Sequence, residues 1–243
     1  MTVSEKNGTI LWLTGWGISD SVFNRLRESL PDYHHVAVDY SEVDTHEKMI
    51  HLTEMAAKNI QHPLIIGGWS LGGLLALKLA VLADGLLLFA ASARFTRPKE
   101  ESARGWADAY VRLMIAGLSK DREAVETKFR RMMFTEAERE EGIEQRIPSR
   151  HDWTTPALIA GLQILREEEV LTQLQHIRCP VFLVHGTKDT ICPFGAALEL
   201  VSLVPQANLH TIPLGGHAPF LGREEEIAKR FRSWWHEQSN NSN

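Results

Sequence analysis

The sequence predicts an α/β fold, with about six mostly parallel strands flanked by helices. Six short apolar runs indicate the strands, at residues 9–15, 35–40, 63–69, 85–91, 180–186 and 207–214. Helical patterns lie between or after them, at residues 20–30, 45–60, 71–83, 194–204 and 223–237. Continuous apolar strands that alternate with helices are typical of a parallel sheet buried on both faces.

Each strand is predicted from its own run of β-forming apolar residues. In chain order the runs read TILWLTG, HVAVDY, PLIIGGW, GLLLFAA, PVFLVHG and ANLHTIPL. The chain has 243 residues, of which 44% are apolar, so it is long enough for one globular domain with a substantial core.

The alternation of strands and helices stops between residues 94 and 175. This stretch has helical patterns and many charges but no convincing strand. The sequence therefore predicts a core formed by residues 1–93 and 176–243, with a helical insertion of residues 94–175 after the fourth strand. We call residues 94–175 the insert.

Composition and charge argue against several classes of function. The polar N-terminal stretch has no apolar leader, and no apolar run reaches bilayer length. We therefore expect an unexported, cytoplasmic protein with no membrane partner. We also expect a monomer. A net charge of -5 gives no reason to expect nucleic acid as a partner. Cys179 and Cys192 have neither disulfide nor zinc-site spacing. His46 and His51 would lie about 140° apart on a helix, so no metal site is predicted.

Ser70 is the candidate nucleophile. It lies in Gly68-x-Ser70-x-Gly72, which ends an apolar strand and opens a helix. In that context the turn strains the serine backbone, and the glycines let strand and helix approach each other. The N-terminus of the helix also offers N–H groups to an oxyanion. The alternative is a small residue in a tight connection.

His217 and Asp189 are the candidate base and orienting acid. Each follows one of the last two strands, at the edge where open α/β sheets build their sites. The chain order Ser70, Asp189, His217 is one of three known orders for a serine triad. The alternatives are a histidine that packs the loop and a solvated turn aspartate. His185 is a weaker candidate base because it falls within a strand end.

The oxyanion hole is predicted at two backbone amides. Leu71 follows the nucleophile, and Trp16 lies in the loop after the first strand. The rings of Trp16 and Trp69 could line an acyl pocket, or they could be ordinary core aromatics.

Several of these motifs together resemble a known family. TGWG, GGWSLGGLLA, the stretch from Gly161 to Pro193 and GGHAPFLGREEEI are similar to the pimeloyl-[acyl-carrier protein] methyl ester esterases of biotin synthesis, within the α/β-hydrolase superfamily. The resemblance spans residues 10 to about 232. It implies an α/β-hydrolase fold, a serine carboxylesterase with no cofactor and no metal, and catalytic roles for Ser70, Asp189 and His217. It also implies that the insert is a lid that docks an acyl carrier protein.

The sequence also departs from that family pattern. Thr14 stands where a histidine is common, and VDYSEVDTHE lacks a Gly-x-Gly-x-Ser motif, so the pocket rim should differ. The leading antiparallel hairpin is expected to be absent.

Carrier binding would need basic residues on the insert. It holds fourteen of the chain's 26 Lys and Arg residues and fifteen acidic ones, so only a segregated basic face would serve. The candidates for substrate binding are Arg130, Arg131, Arg146 and Arg150, with Arg139 nearby. Glu126 and Arg130 illustrate the alternative, a solvated helix with local ion pairs.

Three other functions remain open at this point. A general short-chain carboxylesterase would use the same triad on free esters. A lyase or thioesterase like those of menaquinone synthesis would keep the triad in an arginine-lined pocket. A receptor on the same fold would bind a ligand without turnover, since fold does not determine function.

Overall fold

A computed structural model describes residues 6–148 and 153–241. Within them, six parallel strands form one sheet in the order β2-β1-β3-β4-β5-β6. The strands are β1 (Thr9–Leu13), β2 (His34–Ala37), β3 (Leu64–Trp69), β4 (Gly85–Phe89), β5 (Val181–Gly186) and β6 (Ala207–Ile212). The predicted fold class is confirmed.

Burial follows each strand's position in the sheet. Every residue of β3, β4 and β5 is buried, because these strands have a neighbour on each side and helices on both faces. The edge strands β2 and β6 are mostly partly or fully exposed. Both mix polar residues with apolar ones, as expected at a sheet edge.

The helices of the core cover both faces of the sheet. They are α1 (Asn24–Ser29), α2 (His46–Lys58), α3 (Leu71–Lys78), α8 (Phe194–Leu203) and α9 (Glu224–Asn241). The predicted helix at 20–30 begins as a 3-10 turn, Asp20–Phe23. Helix α3 is shorter than predicted and is followed by a second 3-10 turn, Ala80–Leu82. Residues 71–77 are all buried, so α3 is a core helix beneath the insert.

In the described residues between β4 and β5, the chain forms four α-helices. They are α4 (Asp108–Leu118), α5 (Arg122–Met132), α6 (Glu136–Glu140) and α7 (Thr155–Glu167). In the described part of this segment, pairing outside the sheet is limited to two isolated bridges. Side chains cap three of the helices: Asp121 accepts from Ala124, Thr135 from Glu138 and Thr154 from Ala157. Such caps satisfy helix N–H groups that have no partner inside the helix.

Across the described ranges, we find no helix with the length and apolar composition needed to span a bilayer.

Candidate active site

Ser70 lies at a strained turn between β3 and α3. Its φ is 56° and its ψ is -113°, a conformation that costs energy for a residue with a Cβ. The Ser70 amide donates to the Phe89 carbonyl over 3.0 Å, which fixes the turn against β4. The structure thus places Ser70 between a buried strand and a buried helix, as predicted.

The two flanking glycines are required by close approach of the backbone. A Cβ on Gly68 would clash with the Gly72 carbonyl, and one on Gly72 would clash with the Leu13 carbonyl. The start of α3 therefore packs directly on the end of β1. Only glycine leaves room for this, which explains the motif around Ser70 in steric terms.

His217 links Ser70 to Asp189. Its Nε2 is 2.8 Å from Ser70 Oγ, and its Nδ1 is 2.8 Å from Asp189 Oδ2. All three residues are buried. A carboxylate cannot donate, so Nδ1 carries a proton toward Asp189, and the neutral ring leaves Nε2 free to accept from the serine hydroxyl.

Asp189 is held in place by the turn after β5. Its Oδ1 accepts from the amides of Ile191, at 2.8 Å, and Cys192, at 2.9 Å. The two backbone N–H groups stabilise the charge of a side chain that has no exposed surface. Oδ2 is left to face His217, so Asp189 is not a solvated turn residue.

His185 is a neighbour of the triad. Its Nε2 donates to the Cys192 carbonyl over 2.7 Å and lies 3.5 Å from Asp189 Oδ2. Burial, the largest effect, lowers the pKa of His185 below its usual value, although nearby Asp189 opposes the shift. The His185 ring therefore hydrogen-bonds to the turn that holds Asp189, whereas the His217 ring is the one that contacts Ser70 Oγ.

Trp16 and Leu71 are both buried and lie against Gly161 of the insert. Leu71 is the first residue of α3, so its amide belongs to the N–H groups without a partner inside the helix. Trp16 lies in the turn after β1, and its Nε1 donates to the Leu158 carbonyl over 2.7 Å. Its ring packs edge-on against Phe129, with centroids 4.9 Å apart. The oxyanion hole stays a prediction.

Trp69 packs behind the base. Its Nε1 donates to the His217 carbonyl over 2.8 Å, and its ring contacts Phe220 and Gly15. The side chain has no exposed surface. These contacts favour a role in holding the histidine, and its predicted place in the wall of an acyl pocket is untested.

The arginines proposed for carrier binding occupy different environments. Arg130 is half-buried and donates from Nη1 to the Pro148 carbonyl over 2.8 Å, and burial lowers its pKa. Arg131 and Arg146 are exposed, and Nη1 of Arg146 is 3.9 Å from Glu224 Oε2. Arg150 lies outside the described residues. Substrate binding by these side chains remains a prediction.

The contact between the insert and the base was not predicted from the sequence. Residues 213–217, which we call the base loop, donate two amides to the insert. Gly216 N–H donates to Glu138 Oε2 over 3.0 Å, and His217 N–H donates to the Met133 carbonyl over 2.7 Å. The only local signal was the pair Thr135 and Glu138, which has the spacing of a capping box.

Within the described residues, no group of three or more His, Cys, Asp and Glu side chains could hold a metal ion. Ser70 Oγ lies within hydrogen-bond distance of His217 Nε2. The arrangement can transfer the Ser70 proton to His217 while the hydroxyl oxygen attacks an electrophile.

Several known proteins are similar to this chain. The pimeloyl-[acyl-carrier protein] methyl ester esterase of Nitrosomonas europaea is 29% identical, and the match covers 91% of this chain and 93% of the relative. The esterase of the same name from Chromobacterium violaceum is 28% identical, over 90% and 91% of the two chains. The resemblance predicted from the sequence motifs is confirmed.

Solved structures share the fold at lower identity. An esterase from Exiguobacterium antarcticum superposes with a TM-score of 0.77 at 20% identity, over 95% of this chain and 92% of the other. MenH from S. aureus gives a TM-score of 0.75 at 16% identity, over 97% and 96% of the two chains.

A protein-family model also matches this chain, over residues that include most of the sheet and the whole insert. The model described as "Alpha/beta hydrolase family" matches residues 13–230, a range that contains Ser70, Asp189 and His217. The chain therefore belongs to the alpha/beta hydrolase family.

Proposed function

We propose that this chain is a serine carboxylesterase that hydrolyses the methyl ester of pimeloyl-acyl carrier protein. The observation that carries the chemistry is the continuous contact from Ser70 Oγ through His217 to Asp189, with both distances 2.8 Å. The relatives named pimeloyl-[acyl-carrier protein] methyl ester esterase, which match about nine-tenths of the chain, support the substrate.

The reaction begins at the serine hydroxyl. His217 Nε2 takes the Ser70 proton while Oγ forms a bond to the ester carbonyl carbon. Asp189 holds the imidazole in the required tautomer and stabilises its positive charge. The amides of Trp16 and Leu71 receive the oxyanion, and each such donor contributes roughly 3 to 4 kcal/mol of transition-state stabilisation.

Collapse of the tetrahedral intermediate breaks the bond to the methoxy oxygen. His217 returns its proton to that oxygen, so methanol leaves and the acyl group stays on Ser70. Water then attacks the acyl carbon, again with His217 as base, and releases the carboxylic acid and the free serine.

The insert accounts for a preference for carrier-linked esters. It contacts the candidate oxyanion-hole residue Trp16 through the bond to Leu158, and Ser70 is 4% exposed. We expect the acyl chain to enter along or beneath the insert. Arg131 and Arg146 are exposed cations on the insert that an acidic carrier protein could contact. We also propose that the enzyme acts as a monomer in the cytoplasm.

The test compares one ester in two forms. Hydrolysis of the pimeloyl methyl ester on acyl carrier protein is measured beside the same ester on free pantetheine, for wild type and Ser70→Ala. We expect a much higher kcat/KM on the carrier, and a loss in the variant on the order of 10⁶ in kcat, because triad members act as a unit.

The other outcomes separate the rival functions. Equal, Ser70-dependent rates on both forms would indicate a general carboxylesterase. Turnover of neither ester, with tight binding of a small acyl ligand, would indicate a receptor. Arg131→Ala and Arg146→Ala should raise KM only for the carrier-linked ester, with exposed Arg112→Ala on the same insert as the matched control.

A further inference from the structure

The insert holds the base loop through two consecutive backbone amides. Gly216 N–H donates to Glu138 Oε2 over 3.0 Å, and His217 N–H donates to the Met133 carbonyl over 2.7 Å. Met133 and Glu138 belong to the short segment that joins α5 to α6 and begins α6. Both donors lie on the histidine or the residue before it, so the insert fixes the main chain from which the base projects.

The fit between the two segments is tight. A Cβ on Gly216 would lie 2.8 Å from Glu138 Oε2 and would clash with the Met133 carbonyl. Gly216 therefore has no room for any side chain while the insert is in place.

Glu138 is unusually buried for a residue of a helix cap. Its Oε2 accepts from the Thr135 amide over 3.1 Å, as a capping box requires, and also from the Thr135 hydroxyl over 3.3 Å. Its side chain is only 4% exposed, and Oε1 accepts no hydrogen bond from the described residues, although Arg223 Nη1 is 3.7 Å away. Burial of a carboxylate is costly, so a cap alone does not explain its position.

The opposite side of His217 is fixed by the core. Trp69, the residue before the nucleophile, donates its indole N–H to the His217 carbonyl. The carbonyl of His217 is thus held by β3, and its amide is held by the insert. If the insert contact is lost, the base loop can pivot about Trp69, and a misplacement of about 1 Å can cost on the order of 100-fold in rate.

We infer that Glu138 is a positioning residue, which accepts the Gly216 amide and so holds His217 at hydrogen-bond distance from Ser70. This inference rests on the proposed role of His217 as base. It gives the insert a second proposed role, beyond access to the site, because contacts from the insert then orient the main chain of the base.

The test uses a small soluble ester, p-nitrophenyl acetate, which needs no carrier. Glu138→Ala should lower kcat by about 10- to 100-fold with KM within about twofold, because the base is displaced and the small substrate is bound as before. Glu138→Gln should recover kcat to within about threefold, because its amide oxygen still accepts from Gly216. Glu140→Ala, at an exposed position on the same helix, is the matched control and should stay within about twofold.

A spectroscopic measurement separates positioning from general loosening. The proton between His217 Nδ1 and Asp189 Oδ2 should give a far-downfield ¹H resonance in wild type, Glu138→Gln and Glu140→Ala, and a shifted or broadened one in Glu138→Ala. If Glu138→Ala does not fold, Glu138→Asp replaces it, since that side chain keeps the charge but is one methylene too short to reach Gly216.

Two results overturn the inference. The first is that Glu138→Ala and Glu138→Asp keep the wild-type kcat and the wild-type resonance. The second is that Glu138→Gln loses as much kcat as Glu138→Ala. Ser70→Ala distinguishes this failure from failure of the proposed function. An inactive Ser70→Ala with fully active Glu138 variants rejects only the role of Glu138, whereas an active Ser70→Ala rejects the proposed chemistry.

Discussion

The parallel sheet and the insert hold the candidate site in different ways. The sheet delivers the triad from strand ends, with buried apolar strands and glycines that no other residue can replace. The insert reaches the site through a few polar contacts from helices whose outer faces are charged and exposed. We propose that the sheet supplies the chemistry, while the insert supplies access and the final orientation of the base.

The largest effect should come from the sheet side. Asp189→Asn keeps the shape of the turn but favours the wrong imidazole tautomer, so kcat should fall by about 10⁴. Steady-state hydrolysis of p-nitrophenyl acetate measures it, with a thermal melt as the check on folding. A loss below tenfold would mean that Asp189 does not orient His217.

The next effect concerns the link between insert and core. Arg97 is buried, and its guanidinium pairs with Glu101 Oε2 at 2.8 Å and with Glu199 on α8. Among the described residues, Arg97→Ala leaves Glu199 with the half-exposed Arg104 as its one ion-pair partner, so the free energy of unfolding should fall by about 3 kcal/mol.

Urea denaturation measures this change, and Arg112→Ala is the matched control. Arg112 pairs with Asp108 at an exposed position of the insert, so its removal should change stability by less than about 0.5 kcal/mol. Equal effects of the two substitutions would show that the insert is held to the core without a buried ion pair.

The smallest effect is a pH dependence of the free energy of unfolding, caused by His185 on β5. Because burial depresses the pKa of His185, the unfolded chain takes up the proton first as pH falls. Stability is therefore full above the unfolded pKa of about 6.5 and declines below it, by at most about 0.8 kcal/mol at pH 6.0. His185→Gln should remove this share of the decline between pH 8 and pH 6, and His51→Gln, at an exposed position, should not. A decline unchanged by His185→Gln would contradict the buried neutral imidazole.

Much of the sheet could be predicted because its signals are local. Continuous apolar runs identified all six strands, but β1 ends at Leu13 and not at Gly15. The reason is that Thr14 and the residues after it leave the sheet to form the turn that carries Trp16. The Ser70 motif was readable because its two glycines and the serine lie within five residues of chain, although the steric demand on Gly72 comes from Leu13 at the end of β1.

The contacts of the insert could not be predicted, because they join residues far apart in sequence. Glu138 and Gly216 are 78 positions apart, and Trp16 and Leu158 are 142 apart. Nothing local distinguishes Glu138 from any other residue of a capping box. Its burial appears only when the base loop packs against α6.

The most direct test of the central claim is covalent labelling of the nucleophile. An alkyl fluorophosphonate is incubated with wild type and with His217→Gln, and the adduct is located by peptide mass spectrometry. We predict one adduct per chain, on Ser70, formed at least about 100-fold more slowly in the variant because the base is absent. Labelling at another residue, or an unchanged rate without His217, would contradict a Ser70 nucleophile activated by that histidine.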